Sequence, residues 1–185
     1  MLVTALATPI VAHAASDVET SPPEGGVSAV IEKAGHACVV TAPQGWVLDG
    51  EAGRNDGLDA VLYPAGSSWS AAHVVMYALV VPAQGLSSLE RFIGANLAEA
   101  RHRSPGLSVV KPGDLELADG RHAEVRSLRG DGHGNHELIA FIGEPGAVVM
   151  LVLTTRDAAQ FSRSRDAFAS LVGSYQPVAV VTPAP

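Results

Sequence analysis

The chain reads Gly130-Asp131-Gly132-His133-Gly134-Asn135-His136-Glu137, which places two imidazoles and two carboxylates within seven residues. Imidazole nitrogen and carboxylate oxygen are ligands that zinc accepts in tetrahedral geometry, so Asp131, His133, His136 and Glu137 form a candidate metal set. The spacing matches no established ligand motif, and a hairpin tip needs the same glycines and solvated polar residues for its turn alone. A second group suits recognition better than catalysis. Tyr63, Ser67, Ser68 and Trp69 combine an apolar plate with hydroxyl donors in one loop, as binding surfaces do. The competing reading is that Trp69 folds back over the edge of the core.

Nucleophilic catalysis finds little support. Ser67 and Ser68 lack the Gly-x-Ser-x-Gly elbow of a hydrolase, and only folding could unite them with His73 as base and Asp59 as its orienting carboxylate. A phosphate-cradling loop, a dinucleotide fingerprint and a His-Glu-x-x-His pair are all missing from the sequence. Glu116, Glu124 and Glu144 have no evident pairing and read as solvated.

Composition narrows the class. Apolar residues make up 47% of the 185 and charged residues 17%, with a net charge of −7, which suits one domain with a substantial core. An acidic chain repels phosphates and anionic lipid, so nucleic acid is not an expected partner. The basic run Arg101-His102-Arg103 falls where a helix should end and complements its dipole. Cys38 is the only cysteine and lies in the apolar run Ala37-Cys38-Val39-Val40, where a small buried thiol packs well; no intramolecular disulfide can form.

Residues 1–14 are free of charged side chains, with an apolar stretch followed by Ala12-His13-Ala14. This is the layout of a secretory signal peptide and its cleavage site, with an apolar core too short to span a bilayer. A Pro- and Gly-rich linker over 15–26, a folded domain over 27–176 and a Pro-rich disordered tail over 177–185 complete the expected organisation. The mature chain is thus expected to be secreted or periplasmic, with no membrane span.

Within the domain, 27–35 is read as a short helix. A strand over 37–42 breaks at Pro43-Gln44-Gly45 and resumes at Trp46-Val47-Leu48, and 49–57 is a polar loop. Strands follow at 58–63 and 73–81. Ser87-Ser88-Leu89-Glu90 fits a capping box, and Leu89, Phe92, Ile93, Leu97 and Ala100 fall on one helical face that Pro105-Gly106 ends. Short strands at 107–111 and 114–118 lead to Asp119-Gly120, which suits a two-residue type I′ turn. Strands at 121–129, 136–143 and 147–154 precede a helix over 157–172, with Gly173 as its stop.

The strand pattern decides the architecture. Over 73–81 one face carries Val74, Met76, Ala78 and Val80, and the other Val75, Tyr77, Leu79 and Val81. Strands 136–143 and 147–153 are apolar on both faces too, whereas a sheet with one wet face would alternate with polar residues. The hairpin turns make the sheet mainly antiparallel. Together these features predict an α/β domain of α+β type, a mainly antiparallel sheet sandwiched between helices.

The opening Val39-Val40-Thr41-Ala42-Pro43-Gln44-Gly45-Trp46, a strand running into Pro-x-Gly-Trp, resembles that of the Mog1/PsbP-like family. The hairpin, helix, antiparallel meander and closing helix ending at Leu171 to Tyr175 follow in the same order. The resemblance covers about residues 37–175 and implies an antiparallel sheet between helices. It also implies an accessory or binding protein without a catalytic motif or cofactor. The expected function is therefore non-catalytic recognition of a protein partner or small ligand, through loops 49–57 and 63–72 at one end of the sheet. The alternative is a zinc-binding protein, or a metal-dependent enzyme, built on residues 131–137.

Overall fold

Strands that are apolar on both faces must be covered twice, and the way this chain covers them sets the architecture. The structure, a computed structural model, describes residues 26–33, 35–83 and 88–179. In chain order it contains β1 (Ser28–Lys33), β2 (His36–Thr41), β3 (Trp46–Asp49), β4 (Ala60–Pro64), β5 (Val74–Pro82) and α1 (Leu89–Arg103). Then come β6 (Ser108–Val110), β7 (Asp114–Glu116), β8 (His122–Arg129), β9 (His136–Glu144), β10 (Ala147–Thr155), α2 (Ala158–Arg163), α3 (Arg165–Gly173) and β11 (Gln176–Val178).

The main sheet runs β3-β4-β5-β10-β9-β8-β6, with β7 also paired to β8, and every pairing is antiparallel. One face carries Met76, Leu138, Ala140, Leu151 and Leu153 and packs against Phe161, Phe168, Leu171 and Val172 of α2 and α3. The other face presents Ile139, Phe141, Val148, Met150 and Val152 to Phe92, Ile93 and Leu97 of α1. Phe92 and Phe141 meet edge-on at 6.4 Å, a geometry worth about 0.5–1.5 kcal/mol beyond the area buried. The sandwich expected from the two-faced strands is what the chain builds.

A second sheet, β1-β2-β11, shares the α2–α3 side and contributes Ile31, Cys38 and Val40 to that core. The opposite face of this small sheet carries Val30, 66% exposed, and Val178, 41% exposed. Cys38 is fully buried, and burial pushes its thiol up to about 12, as a packing role requires.

Several local expectations are corrected. Residues 27–35 contain a strand rather than a helix: in β1 the inward residue Ile31 is buried between the exposed Val30 and Glu32, a period of two. Trp46 does not resume β2. A turn closed by the Trp46 N–H on the Pro43 carbonyl (3.0 Å), with Gly45 at φ 79°, sends the chain into the other sheet. The helix cap falls on Ser88, whose Oγ accepts the Arg91 N–H at 3.3 Å. Glu90 then sits one position early for a capping box. At Asp119-Gly120 the Gly120 N–H bonds the Leu117 carbonyl and the Leu117 N–H bonds the Arg121 carbonyl. That is a three-residue loop with Gly120 at φ 81°, rather than a two-residue turn.

The last helix is divided at the buried Ser164, which ends α2 and begins α3. The bend lets α2 lie over β9 and β10 while α3 lies over β7 and β2. Gly173 is the last helical residue rather than the stop, because Ser174 does the closing: its Oγ donates to the Leu171 carbonyl at 2.7 Å and accepts the Thr41 N–H at 2.9 Å. Beyond it, β11 pairs with β2, so the ordered fold runs into the segment expected to be tail. The leader over 1–14, most of the linker, Ser87 and residues 180–185 lie outside the described residues.

Candidate functional site

At the β8–β9 hairpin tip the proposed metal ligands point apart. Both carboxylate oxygens of Asp131 are engaged within the turn, accepting the Asn135 N–H at 2.7 Å, the Asn135 side-chain amide at 2.8 Å and the His133 N–H at 3.2 Å. His133 is exposed. His136 and Glu137 are neighbours on β9 and so face opposite sides of the sheet. His136 tilts against Phe161 of α2 at 5.7 Å, with its Nδ1 buried and unpartnered. Glu137 lies on the α1 side, where burial raises its carboxyl above the usual range and the Thr154 hydroxyl partly offsets that. Among the described residues no group of three or more His, Cys, Asp or Glu side chains is arranged to hold a metal.

The two candidate recognition loops are not at one end of the sheet. Loop 50–59 joins β3 to β4 and loop 65–73 joins β4 to β5, so in an antiparallel meander they leave β4 from opposite ends. They meet because the first folds back over the sheet, its Gly53 lying against Val61. Trp69 Nε1 donates to Asp56 Oδ2 at 3.0 Å, and the Tyr63 hydroxyl donates to Asp49 Oδ2 at 3.1 Å. The other Asp49 oxygen accepts the N–H groups of Glu51 and Ala52, and the Ala52 bond first, then that of Glu51, holds this carboxyl low. Trp69 is half-buried, while Ser67 and Ser68 are exposed and Ser68 faces Ser70 at 3.4 Å. Asp59 does not orient His73. Its carboxylate accepts Lys33 Nζ at 2.8 Å and the Val80 N–H at 2.7 Å.

A depression of about 490 Å³ opens where β5 begins and β10 ends, beside His73, Thr155 and Asp157. Within it Thr155 Oγ1 donates to the His73 carbonyl at 2.7 Å and accepts the Asp157 N–H at 3.1 Å, while Asp157 caps α2.

Sequence reasoning missed a buried polar chain. Tyr175, fully buried, donates its hydroxyl to Glu144 Oε1 at 2.7 Å and stands 3.0 Å from His36 Nε2. Arg121 Nη2 reaches the same Glu144 oxygen at 2.8 Å. Glu144, expected to be solvated, has a side chain only 5% exposed. Burial, then the bond to Glu144, raises the Tyr175 hydroxyl and keeps it a donor. The chain fastens β2 and the end of α3 to the β9–β10 turn.

It also missed a groove on the α2–α3 side. Opposite β8 the sheet edge is interrupted at Lys111-Pro112-Gly113, so β6 and β7 pair with β8 separately. Gly113 at φ 132° adopts a backbone that L side chains rarely take, and Pro112 has no N–H to offer the ladder. The helices lie over β10, β9, β7 and β2, which leaves the matching side of β6 open. Two adjoining depressions result, of about 340 and 440 Å³, sharing Pro112, Leu138 and Arg165. In the smaller, Ser127 and Arg129 of β8 meet Val110 of β6 and Phe161 of α2. Sequence offered one signal for it, the Pro-Gly break between two apolar runs.

No protein-family model and no curated protein matches the chain. Solved structures do. LpqN of Mycobacterium tuberculosis, involved in cell envelope biogenesis, aligns with a TM-score of 0.54 and 13% identity over 83% of this chain and 91% of its own. PA94, a protein of unknown function from Pseudomonas aeruginosa, aligns with a TM-score of 0.51 and 16% identity over 86% and 99%. Cyanobacterial PsbP (CyanoP) from Synechocystis sp. PCC 6803 aligns with a TM-score of 0.49 and 13% identity over 85% and 96%. At such identities the likeness is one of fold.

Proposed function

We propose, from the Mog1/PsbP-like fold that this chain adopts, that it is an exported, non-catalytic accessory protein that recognises a small ligand in the groove between β6 and the α2–α3 bend. One observation carries this reading. Val110 lies on the core-facing side of the sheet, in register with Ser127 and through it with the buried Leu138, yet it is 58% exposed. Because Val110 shares one depression with Leu138 and Phe161, its exposed side continues an apolar wall of the kind that lines small-molecule sites. The leader-like residues 1–14 support the exported placement, and among the described residues no helix is long and apolar enough to cross a membrane.

The reading is tested on protein purified from an envelope fraction and examined by native mass spectrometry. A small-molecule adduct that is absent from a Val110→Asp variant supports recognition in the groove. No adduct, or one that the substitution leaves in place, overturns it.

A further inference from the structure

We infer that the ligand of this groove is a monocarboxylate with a short apolar tail, its carboxylate held between Arg129 and Arg165. The inference rests on the groove being the recognition site. Both arginines line the smaller depression, and among the described residues neither makes an ion pair. In a chain of net charge −7, what sets these two apart is that they line one depression together. Arg129 is also oriented: its guanidinium lies 5.9 Å from the centroid of the Phe161 ring, close enough for cation–π attraction. Arg165 occupies the first turn of α3, where a cation opposes the helix dipole and a bound anion would relieve it. A planar carboxylate matches the guanidinium fork in a way that a lone hydroxyl cannot.

The tail follows from what lies beside the arginines. Val110, Leu138 and Phe161 supply the apolar wall of the same depression, and about 340 Å³ falls at the lower end of small-molecule sites. The adjoining depression sets a limit, because Asp114 and Asp166 line it. Lys111 stands 3.3 Å from Asp114, whereas Asp166 has no basic partner among the described residues. A second carboxylate at the far end of the ligand would meet that charge, so a monoanion is preferred to a dianion.

The test is a titration followed through backbone amide resonances at pH 7, with octanoate, octan-1-ol and octanedioate as probes. Octanoate should move the amides of Val110, Ser127 and Leu138 and bind at least about tenfold more tightly than octan-1-ol, the margin expected of a charge-assisted bond. Octanedioate should bind more weakly than octanoate. Arg165→Gln should weaken octanoate, and Arg129→Gln with Arg165→Gln should bring it down to the level of octan-1-ol, while the alcohol's own affinity holds in both. Equal binding of acid and alcohol in the groove overturns the carboxylate assignment and leaves groove recognition standing. If no probe moves the groove amides, both fall.

Discussion

Replacing Tyr175 by Phe removes one oxygen from the middle of a buried polar chain and leaves the ring that fills the core. No cavity opens, so the cost is polar alone. Glu144 loses a 2.7 Å donor but keeps Arg121 at 2.8 Å. His36 Nε2 loses the acceptor 3.0 Å away and, at 8% exposure of the residue, has little water to replace it. A hydrogen bond to a charged group is worth about 1.5–3 kcal/mol, and a buried donor left unsatisfied costs about 1–3 kcal/mol. Because Arg121 softens the first loss, the sum should be about 2–4 kcal/mol. For a domain of this size that corresponds to a fall in Tm of about 10 °C.

Urea unfolding followed by fluorescence of Trp46 and Trp69 measures it, with the m-value checked for constancy. The companion measurement is a double-mutant cycle with Glu144→Gln, which should return a coupling energy of at least about 1 kcal/mol. A loss below about 0.5 kcal/mol, or additive effects in the cycle, would mean that the hydroxyl is solvated in the folded protein and the chain is not a fastening.

Gly53→Ala places a Cβ 2.3 Å from Val61 Cγ1 and 3.0 Å from the Leu58 Cβ. The loop must lift from the sheet at a cost of about 1–3 kcal/mol, seen as lost stability together with faster amide exchange over 50–58. Glu137→Gln tests burial on the α1 side. The folded carboxyl titrates above its usual 4.5, so the wild type loses stability as pH rises from the unfolded value through the raised one. The variant should therefore gain on the wild type at pH 7, and the gain should vanish at pH 4, in paired melts. Asp157→Ala runs the other way. Bonds from the Gln160 and Ala159 N–H groups hold that carboxyl low, so its contribution is present at neutral pH and lost as pH falls through the depressed value. The variant should be less stable than the wild type at pH 7 and equal to it in strong acid.

The parts of the fold that were legible in the sequence are those fixed by local period. β5, β9 and β10 are apolar on both faces, which forces two covering layers, and the stripe from Leu89 to Leu97 supplies one of them. β1 was misread because 27–35 is short and mixed, and only the opposite strand β2 decides which of its residues turn inward. The division at Ser164 has no local cause in helix propensity; it follows from where α2 and α3 must lie to cover β10 and β2. That His136 and Glu137 do not converge follows from a rule available in advance: once His136 is placed in a strand, Glu137 must face the other way. The chain through His36, Arg121, Glu144 and Tyr175 joins positions up to 139 apart, and no spacing within one segment announces it.

That contrast also explains why the groove, rather than either candidate read from sequence, carries the functional reading. Polar residues clustered in a sequence most often satisfy one another once the chain folds, because they are close and the alternative is an unpaired group. Asp131 binds its own turn, Trp69 binds Asp56, and Asp59 binds Lys33 and the Val80 N–H. Arg129 and Arg165 come from a strand and a helix that meet only in the fold, and no carboxylate among the described residues stands within ion-pair distance of either. Val110 beside them is an apolar side chain on the core-facing side, yet more than half exposed. Charge without a counter-charge and apolar surface without cover, adjoining each other at a broken sheet edge, are the two things that a ligand of mixed character satisfies at once.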